Sequence, residues 1–234
     1  MIDLHCHILH DIDDGPSTLE DSLEMARMAV ADGIEHIVAT PHVREVIHDP
    51  EDIRDRVNRF RSALQDAGIP LEISPGGDNS ALLDVDTLKG HTINGTDYVL
   101  LEFPYTHLPH NARDMIYRIQ LAGLLPIITH PERNPSIIAK PQLLINLAEA
   151  GAFVQVTAES LTGGFGRKVK KCAQYLLKNH AVHILASDAH SPGSRPPILS
   201  KGVKAAAKIV GEPSARRLVT TNPAAVMSNK PIHD

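Results

Sequence analysis

Two short motifs in the sequence place metal-ligating side chains one residue apart. His5 and His7 stand in the run MIDLHCH, and Asp188 and His190 stand in SDAH. If each motif ends a β-strand, residues i and i+2 point to the same side with their backbones about 6–7 Å apart, so both side chains can bind one ion. Cys6, between the two histidines, would then point the other way, into the core. Either motif alone is a weak signal, and its meaning depends on the residues at the ends of the other apolar runs.

Carboxylates and imidazoles also stand in the first loop and after four other apolar runs. These further candidates are Asp13, Asp14, His42, Asp78, Glu102 and His130. Unpaired acids and histidines gathered on one buried rim would be costly, so the set predicts a site for several metal ions. Nitrogen and oxygen ligands without thiolate suit Mn, Fe or Zn and do not choose among them.

Seven apolar runs of strand length alternate with helical patterns along the chain. The predicted strands are Ile2–His5, Ile34–Thr40, Leu71–Ser74, Tyr98–Phe103, Leu124–Thr129, Ala152–Thr157 and Val182–Ser187. This alternation predicts an α/β fold of parallel βαβ units, closed into a distorted (β/α)7 TIM-like barrel, as a single domain over residues 1–234. The strand C-termini would then share one rim, where such barrels place their chemistry. An open doubly wound sheet is the alternative, although no Gly-x-Gly-x-x-Gly turn follows the first strand.

Start and stop signals place the predicted helices between these strands. The run Ser17-Thr18-Leu19-Glu20 indicates a capping box, with Leu19 on the buried face of the helix after it. Pro50 can occupy the first turn of the second helix, whose inward residues are Ile53, Val57, Phe60 and Leu64. Further helices are predicted at 83–88, where the pattern is weak, and at 112–122, 141–150, 166–178, 197–210, 213–219 and 223–227.

The composition excludes several classes of protein. An apolar fraction of 42% and a charged fraction of 22% are those of an ordinary globular protein. The net charge of −5 offers no basic surface for nucleic acid or membrane, and 3% aromatic residues argue against a base-stacking platform. Neither a signal peptide nor a membrane span is recognisable, and Cys6 and Cys172 make no disulfide framework, so a cytoplasmic location is expected. Six of the 14 histidines are expected to be ordinary surface residues: His36, His48, His91, His180, His183 and His233.

The motifs, in their order along the chain, resemble those of the PHP (polymerase and histidinol phosphatase) superfamily of metal-dependent phosphoesterases. The resemblance is carried by MIDLHCHIL with DDGP, by ATPH, LEFP, HPERN and ASDAH, over residues 1 to about 195. Within the superfamily the chain is most similar to the bacterial protein-tyrosine phosphatases that accompany capsular or exopolysaccharide tyrosine kinases. Glu102, where many relatives carry His, favours that branch.

The resemblance implies up to three divalent ions, with Mn expected before Fe or Zn. The implied ligands are His5, His7, Asp78 and Asp188 for the first ion, Asp78, Glu102 and His130 for the second with Asp78 bridging, and Asp14, His42 and His190 for the third. It also implies that Arg133 and Arg195 are catalytic residues that bind phosphate. One departure matters: the bridging residue of the family is usually Glu after a Gly, whereas Asp78 is one methylene shorter and can shift the ions or lower the activity.

The implied activity is hydrolysis of phosphotyrosine on a protein by a metal-activated hydroxide. The expected protein partner is a bacterial tyrosine kinase of capsular or exopolysaccharide synthesis, with no nucleic acid and no membrane insertion. Arginine suits the phosphate because its planar guanidinium can donate to two oxygens at once, although pairing of Arg133 with a nearby acid such as Glu132 is the structural alternative. Cysteine-based phosphatase chemistry is excluded because neither Cys6 nor Cys172 begins a Cys-x5-Arg motif.

Three other functions stay open. The chain could be a PHP phosphoesterase for a small molecule such as histidinol phosphate, a metal-dependent amidohydrolase, or a weakly active metal-binding regulatory module, to which Asp78 points. For the general acid, His107 and His110 are candidates by position alone. Tyr105 and Phe165 stand in loops where they can flank an aromatic substrate or pack under the loop.

Overall fold

The computed structural model of the protein describes residues 1–232, in which nine short parallel strands surround one interior. The strands are β1 Ile2–Cys6, β2 His36–Ala39, β3 His42–Val43, β4 Glu72–Pro75, β5 Asp78–Ser80, β6 Tyr98–Glu102, β7 Leu125–Thr129, β8 Phe153–Thr157 and β9 Ile184–Ala186. They occupy the seven predicted positions, because β2 and β3 are two parts of one strand and so are β4 and β5.

Both breaks have a cause in the sequence. Pro41 stands between β2 and β3 and cannot donate a backbone hydrogen bond. Gly76 and Gly77 stand between β4 and β5, and a Cβ on Gly76 would lie 2.8 Å from Cγ1 of Val38, so only glycine lets the two chains come this close. The strand order is accordingly β1-β2-β4 on the N-terminal side of the breaks and β3-β5-β6-β7-β8-β9 on their C-terminal side.

Hydrogen bonds between β1 and the segment after β9 close the ring. Asp188 N donates to His5 O at 2.8 Å, and His7 N donates to Ala189 O at 2.9 Å. At the N-terminal end of β1, the short segment between the last two helices of the chain pairs with the strand, since Ile2 N donates to Val219 O at 2.8 Å. The fold is therefore the distorted seven-position barrel that the sequence predicts, and the open sheet is wrong.

Helices cover the outside of the ring. They are α1 Leu19–Asp32, α2 Pro50–Asp66, α3 Val85–Gly90, α4 Ala112–Leu121, α5 Pro135–Ala139, α6 Gln142–Glu149, α7 Ala158–Thr162, α8 Arg167–Lys178, α9 Ser200–Val210, α10 Glu212–Arg217 and α11 Thr221–Met227, with 3₁₀ turns at Ile93–Gly95 and Pro131–Arg133. Among residues 1–232, no helix has both the length and the apolar character that crossing a bilayer requires.

The start of α1 differs from the prediction by one residue. Thr18, not Ser17, is the N-cap, and its hydroxyl accepts from Asp21 N at 3.2 Å. Leu19 is consequently turned outward and is 40% exposed, whereas Leu23 is buried. In α2 the prediction is confirmed, since Pro50 is the first residue and the four expected side chains are buried. Asp49, which was not predicted as the cap, accepts from Glu51 N and caps the helix.

Apolar side chains fill two layers, which alternate along each strand. Leu100 and Ile127 face the barrel interior, while their neighbours Leu101 and Ile128 face the helices. The interior cluster also includes Leu4, Val38, Tyr98, Ile184 and Val226. This apolar plug fills the lower interior, so polar groups can gather only above it, at the C-terminal ends of the strands.

Six histidines were expected at the surface, and one of the five that the structure describes is buried. His91 is 4% exposed, and its ring nitrogens lie 2.9 Å from Thr87 O and 2.8 Å from His48 O, so it closes the turn after α3. His36, His48 and His183 are partly buried, and His180 is exposed. His233 lies outside the described residues.

Candidate metal centre

The mouth at the C-terminal ends of the strands contains all nine ligands that the resemblance implies. They reach it by strand alternation: Glu102 stands two residues beyond the interior Leu100, and the register pairs His42 with Asp78 across β3 and β5. Eight of the nine are buried, the exception being Asp14. The eight are His5, His7, His42, Asp78, Glu102, His130, Asp188 and His190.

The first group lies at the seam between β1 and the end of β9. His5 Nε2 and His7 Nε2 are 3.2 Å apart, and Asp188 Oδ1 lies 3.5 Å from the former and 3.6 Å from the latter. Asp78 Oδ2 is 3.6 Å from His5 Nε2 on the other side. These four side chains are the ones expected around the first ion.

Asp78 stands between the first group and a second one. Its Oδ2 atom lies 4.0 Å from His130 Nε2 and 3.2 Å from His42 Nδ1. Glu102 completes this group, with Oε1 3.5 Å from His130 Nε2. The shorter Asp at position 78 therefore still faces imidazoles of both groups, as a bridging carboxylate must.

The third group lies nearer to solvent. Asp14 Oδ1 is 3.3 Å from Nε2 of His42 and 3.3 Å from Nε2 of His190. His7 joins these three, since one ligand atom of each of the four lies within 4.8 Å of the others. The resemblance assigned His7 to the first ion only, whereas the geometry places it between the first and third groups.

The donor set fits divalent cations. Asp78 Oδ2, Glu102 Oε1 and His42 Nδ1 are buried atoms without a hydrogen-bond partner. Buried carboxylate oxygens with no donor are costly unless a cation neutralises them. Oxygen and imidazole nitrogen without thiolate is a combination that Mn, Fe and Zn accept.

The raised pKa values of Glu102 and His42 show how strongly this part of the mouth attracts positive charge. Burial and the neighbouring Asp78 carboxylate raise the pKa of Glu102 to about 7. Burial opposes the charged form of His42, but the carboxylates of Asp14 and Asp78 outweigh burial and raise its pKa to about 10.

Two other histidines are held neutral. Burial lowers the pKa of His7 to about 4, although Asp13 acts in the opposite direction. Burial and the nearby charge of Arg133 lower the pKa of His130 to about 3. Neutral imidazole is the form that binds a metal ion, so these two rings are ready as ligands at neutral pH.

Residues behind the ligands fix the histidine rings, and sequence reasoning did not find their roles. Gln155 Oε1 lies 2.8 Å from His5 Nδ1, and Asp13 Oδ2 lies 2.6 Å from His7 Nδ1. An acceptor on Nδ1 makes that nitrogen the donor and leaves Nε2 free for a metal. Gln155 lies on β8, the strand for which no ligand was predicted. A polar residue at an inward-facing position of an otherwise apolar strand is a sequence feature that could have identified it.

The two candidate phosphate-binding arginines meet at Asp188. Arg133 donates to Asp188 Oδ2 and to Thr157 Oγ1. Arg195 Nη2 donates to the backbone O of Asp188 at 2.8 Å and forms an ion pair with Asp188 Oδ2 at 2.7 Å. Nε of each arginine is buried and has no hydrogen-bond partner. The expected alternative partner of Arg133, Glu132, instead accepts from Ser160 Oγ and Thr157 N, with its oxygen 4.0 Å from Arg133 Nε.

Aromatic residues and one further arginine border the mouth. The Arg133 guanidinium carbon lies 4.1 Å from the centroid of the Phe165 ring, a cation–π contact. Tyr105 is 55% exposed and parallel to the His130 ring, with centroids 6.2 Å apart, so it lies on the rim and not under a loop. Arg44, which the sequence did not single out, places Nη1 3.5 Å from Glu102 Oε2.

The loop after β6 contains the two candidates for the general acid. His107 and His110 are both exposed there, and His107 Nδ1 lies 2.9 Å from Thr106 Oγ1.

Two candidate ligands have left-handed backbone. His130 has φ +33° and Asp188 has φ +51°, values that cost non-glycine residues roughly 1–3 kcal/mol each. Buried side chains around both positions maintain this geometry. Strain of this kind is typical of functional sites, where the required side-chain direction outweighs local backbone preference.

Comparison with known proteins gives consistent matches. The sequence matches, over residues 1–228, a protein family described as capsular polysaccharide synthesis, CpsB/CapC. It is 41% identical over 201 residues to the tyrosine-protein phosphatase YwqE of Bacillus subtilis, covering 83% of this chain and 79% of that protein. It is 29% identical over 240 residues to the tyrosine-protein phosphatase CpsB of Streptococcus agalactiae, covering 98% and 99%.

A solved structure is similar over the whole fold. It is described as one of the "Crystal structures of YwqE from Bacillus subtilis and CpsB from Streptococcus pneumoniae, unique metal-dependent tyrosine phosphatases". Its TM-score to this chain is 0.94 at 36% identity, with 100% of this chain and 96% of that chain covered.

Proposed function

The chain belongs to the CpsB/CapC family of capsular polysaccharide synthesis, and on that premise we propose that it is a metal-dependent tyrosine phosphatase. The observation that carries the proposal is the corner where two arginines flank a candidate metal ligand. Arg133 and Arg195 both bind Asp188, and each keeps a buried Nε–H without an acceptor. A phosphate dianion offers three charged oxygen acceptors to two guanidinium groups, whereas a neutral amide offers one uncharged carbonyl oxygen.

The three groups of ligands are proposed to hold up to three divalent cations, with Mn preferred over Fe or Zn. Cations bound there would supply Lewis acidity, which lowers the pKa of water and neutralises charge on the phosphate. The nine proposed ligands are His5, His7, Asp14, His42, Asp78, Glu102, His130, Asp188 and His190.

The residues of the chain account for substrate binding and orientation. The guanidinium groups of Arg133 and Arg195 bind the equatorial phosphate oxygens, where charge develops in phosphoryl transfer. Phe165 packs against the Arg133 guanidinium, and the exposed ring of Tyr105 lies where it can flank the phenyl ring of the substrate. Phenolate is a good leaving group, so the reaction depends little on a general acid.

The substrate is proposed to be phosphotyrosine on a protein, specifically a bacterial tyrosine kinase of capsular or exopolysaccharide synthesis. The family description supports the pathway, and the named relatives support the phosphotyrosine. We also propose that residues 1–234 act as one phosphatase unit in the cytoplasm, where the buried, free Cys6 and Cys172 would stay reduced.

The test combines metal analysis with activity. The metal-loaded protein should hydrolyse a phosphotyrosyl peptide far faster than histidinol phosphate, and vanadate should inhibit it. His5→Ala should lose both metal and activity, and Arg133→Ala should keep its metal and lose most turnover. A strong preference for histidinol phosphate would replace this function with small-molecule hydrolysis. Failure to hydrolyse any phosphate ester between pH 6 and 9 would favour a regulatory module.

A further inference from the structure

A groove of about 730 Å³ lies between α5 and α8, outside the mouth. Its lining is Pro135, Ile138, Ala139 and Pro141 on one side and Lys168, Lys171, Cys172 and Tyr175 on the other. The volume is in the range of ligand-binding clefts. None of these residues belongs to the candidate metal centre or to its arginines.

Both walls of the groove begin at the arginine corner. Pro135 opens α5 only two residues after Arg133. Arg167 opens α8 two residues after Phe165, whose ring contacts the Arg133 guanidinium. The helix α8 also packs against the Pro131–Arg133 turn. A chain whose phosphotyrosine binds at the arginines can therefore continue directly into the groove.

The charge of α8 contrasts with that of the whole protein. Its sequence RKVKKCAQYLLK contains five cations and no acid, whereas the net charge of the chain is −5. Lys168 and Lys171 are both exposed, and Tyr175, one turn further, is 45% exposed. At helical spacing these three residues lie on one face, so cations and an aromatic ring point to the same groove.

We propose that this groove docks the substrate segment next to the phosphotyrosine, and that this segment carries acidic side chains beside an apolar one. This inference rests on the proposed phosphatase function and adds a sequence preference to it. Lys168 and Lys171 attract the acids, and Ile138 and Tyr175 receive the apolar side chain. The α8 wall between Lys168 and Tyr175 is about 10 Å long at 1.5 Å per residue, which corresponds to about three extended residues.

A peptide explains the surface better than an anionic membrane does. The basic face is one wall of a groove whose other wall is apolar, which is a shape for a chain and not for a flat bilayer. The remaining surface of a protein with net charge −5 would also be repelled by anionic lipids. The membrane is therefore an outcome that the test must separate.

The experiment compares two phosphotyrosyl peptides, one with Asp, Glu and Leu in the three positions on each side of the phosphotyrosine and one with Lys, Gln and Leu there. The natural metal-loaded protein should prefer the acidic peptide about tenfold in kcat/KM, mainly through KM. In Lys168→Glu/Lys171→Glu, the ratio of kcat/KM for the acidic peptide to that for p-nitrophenyl phosphate should fall about tenfold. The preference should also weaken when NaCl is raised from 0.05 to 0.5 M.

The matched control is Lys201→Glu/Lys204→Glu, a pair with the same spacing and charge change on α9. It should keep the ratio within twofold, and thermal melting should show both double variants to be folded. Equal ratios in the two variants, or no peptide preference in the natural protein, would overturn the inference while leaving the phosphatase function intact.

Two further outcomes also decide. If the natural protein binds phosphatidylserine vesicles and Lys168→Glu/Lys171→Glu loses that binding without a change in peptide ratio, the surface is a membrane contact and the inference is overturned. If the metal-loaded natural protein hydrolyses no phosphotyrosyl peptide at all, the proposed function fails first.

Discussion

Replacing Gln155 with Leu should weaken metal binding although Gln155 belongs to none of the groups of candidate ligands. Its side chain is fully buried on β8, and Oε1 lies 2.8 Å from His5 Nδ1. This contact holds the proton on Nδ1 and leaves the lone pair of His5 on Nε2, the atom 3.5 Å from Asp188 Oδ1. Leu has a similar volume but no acceptor, so the change removes the hydrogen bond with little loss of packing.

The expected size of the effect follows from two independent estimates. Loss of an outer-shell partner of a metal-binding histidine costs about 10–100-fold in affinity. That range corresponds to about 1.4–2.8 kcal/mol, which agrees with the roughly 1–3 kcal/mol for leaving a buried donor unpaired. The affinity for the first ion should therefore fall by one to two orders of magnitude.

The assay is a titration of metal-free protein with Mn²⁺ against a competing chelator. The matched control is Gln155→Glu, which keeps an acceptor on His5 Nδ1 and should bind at least as tightly as the natural protein. Melting curves of the metal-free variants establish that both are folded. A Kd for Gln155→Leu within twofold of the natural value, in a folded protein, would refute the idea that Gln155 acts through His5.

Three other changes test different parts of the structure. Arg133→Met should keep the metal content but lower kcat/KM for a phosphotyrosyl peptide 100-fold or more, because removal of a charge-stabilising donor costs about 2.7–4 kcal/mol. Unchanged turnover would contradict the role of Arg133 in binding the phosphate. Burial raises the pKa of Asp3 to about 6, so ionisation of this carboxyl destabilises the fold as the pH rises from about 4 through 6. Asp3→Asn should therefore increase the free energy of unfolding of the metal-free protein by up to about 3 kcal/mol at pH 8 and by little at pH 4. Equal gains at both pH values would exclude this cause. Gly202→Ala should lower the free energy of unfolding, measured by urea titration, by about 1–3 kcal/mol. The new Cβ would lie 2.6 Å from Ala158 Cβ and 2.7 Å from Ala158 Cα, so α7 and α9 would have to move apart. An unchanged urea midpoint would show that these two helices can separate without cost.

The barrel could be predicted because its strands are buried on both faces. Runs such as Tyr98–Glu102 are apolar at every position but the last, so strand position and the ligand at its end follow from the same pattern. The two broken strands could not be predicted in the same way. Pairing of His42 with Asp78 depends on how the chain bends at Pro41 and Gly76, and local sequence does not determine that bend.

Within the site, ligand types could be predicted but not their supporting contacts. Gln155 and Asp13 act through distances to His5 and His7 that only the folded chain provides. The helix start at Thr18 was missed for a similar reason: Ser17 and Thr18 have nearly equal capping propensity, and Asp21, three residues after Thr18, decides between them.

The seam between the first and last strands has a consequence for biosynthesis. Cys6 and Ala189 pair across it although 183 residues separate them in the chain. At roughly 5–20 residues per second, a ribosome needs about 10–40 s after it has added Cys6 to reach Ala189. His5 and His7 thus wait for Asp188 through most of translation, and a product truncated before residue 188 never obtains it. We therefore expect the groups that contain Asp188 and His190 to take up their cations last in maturation, after the segment that follows β9 has been made.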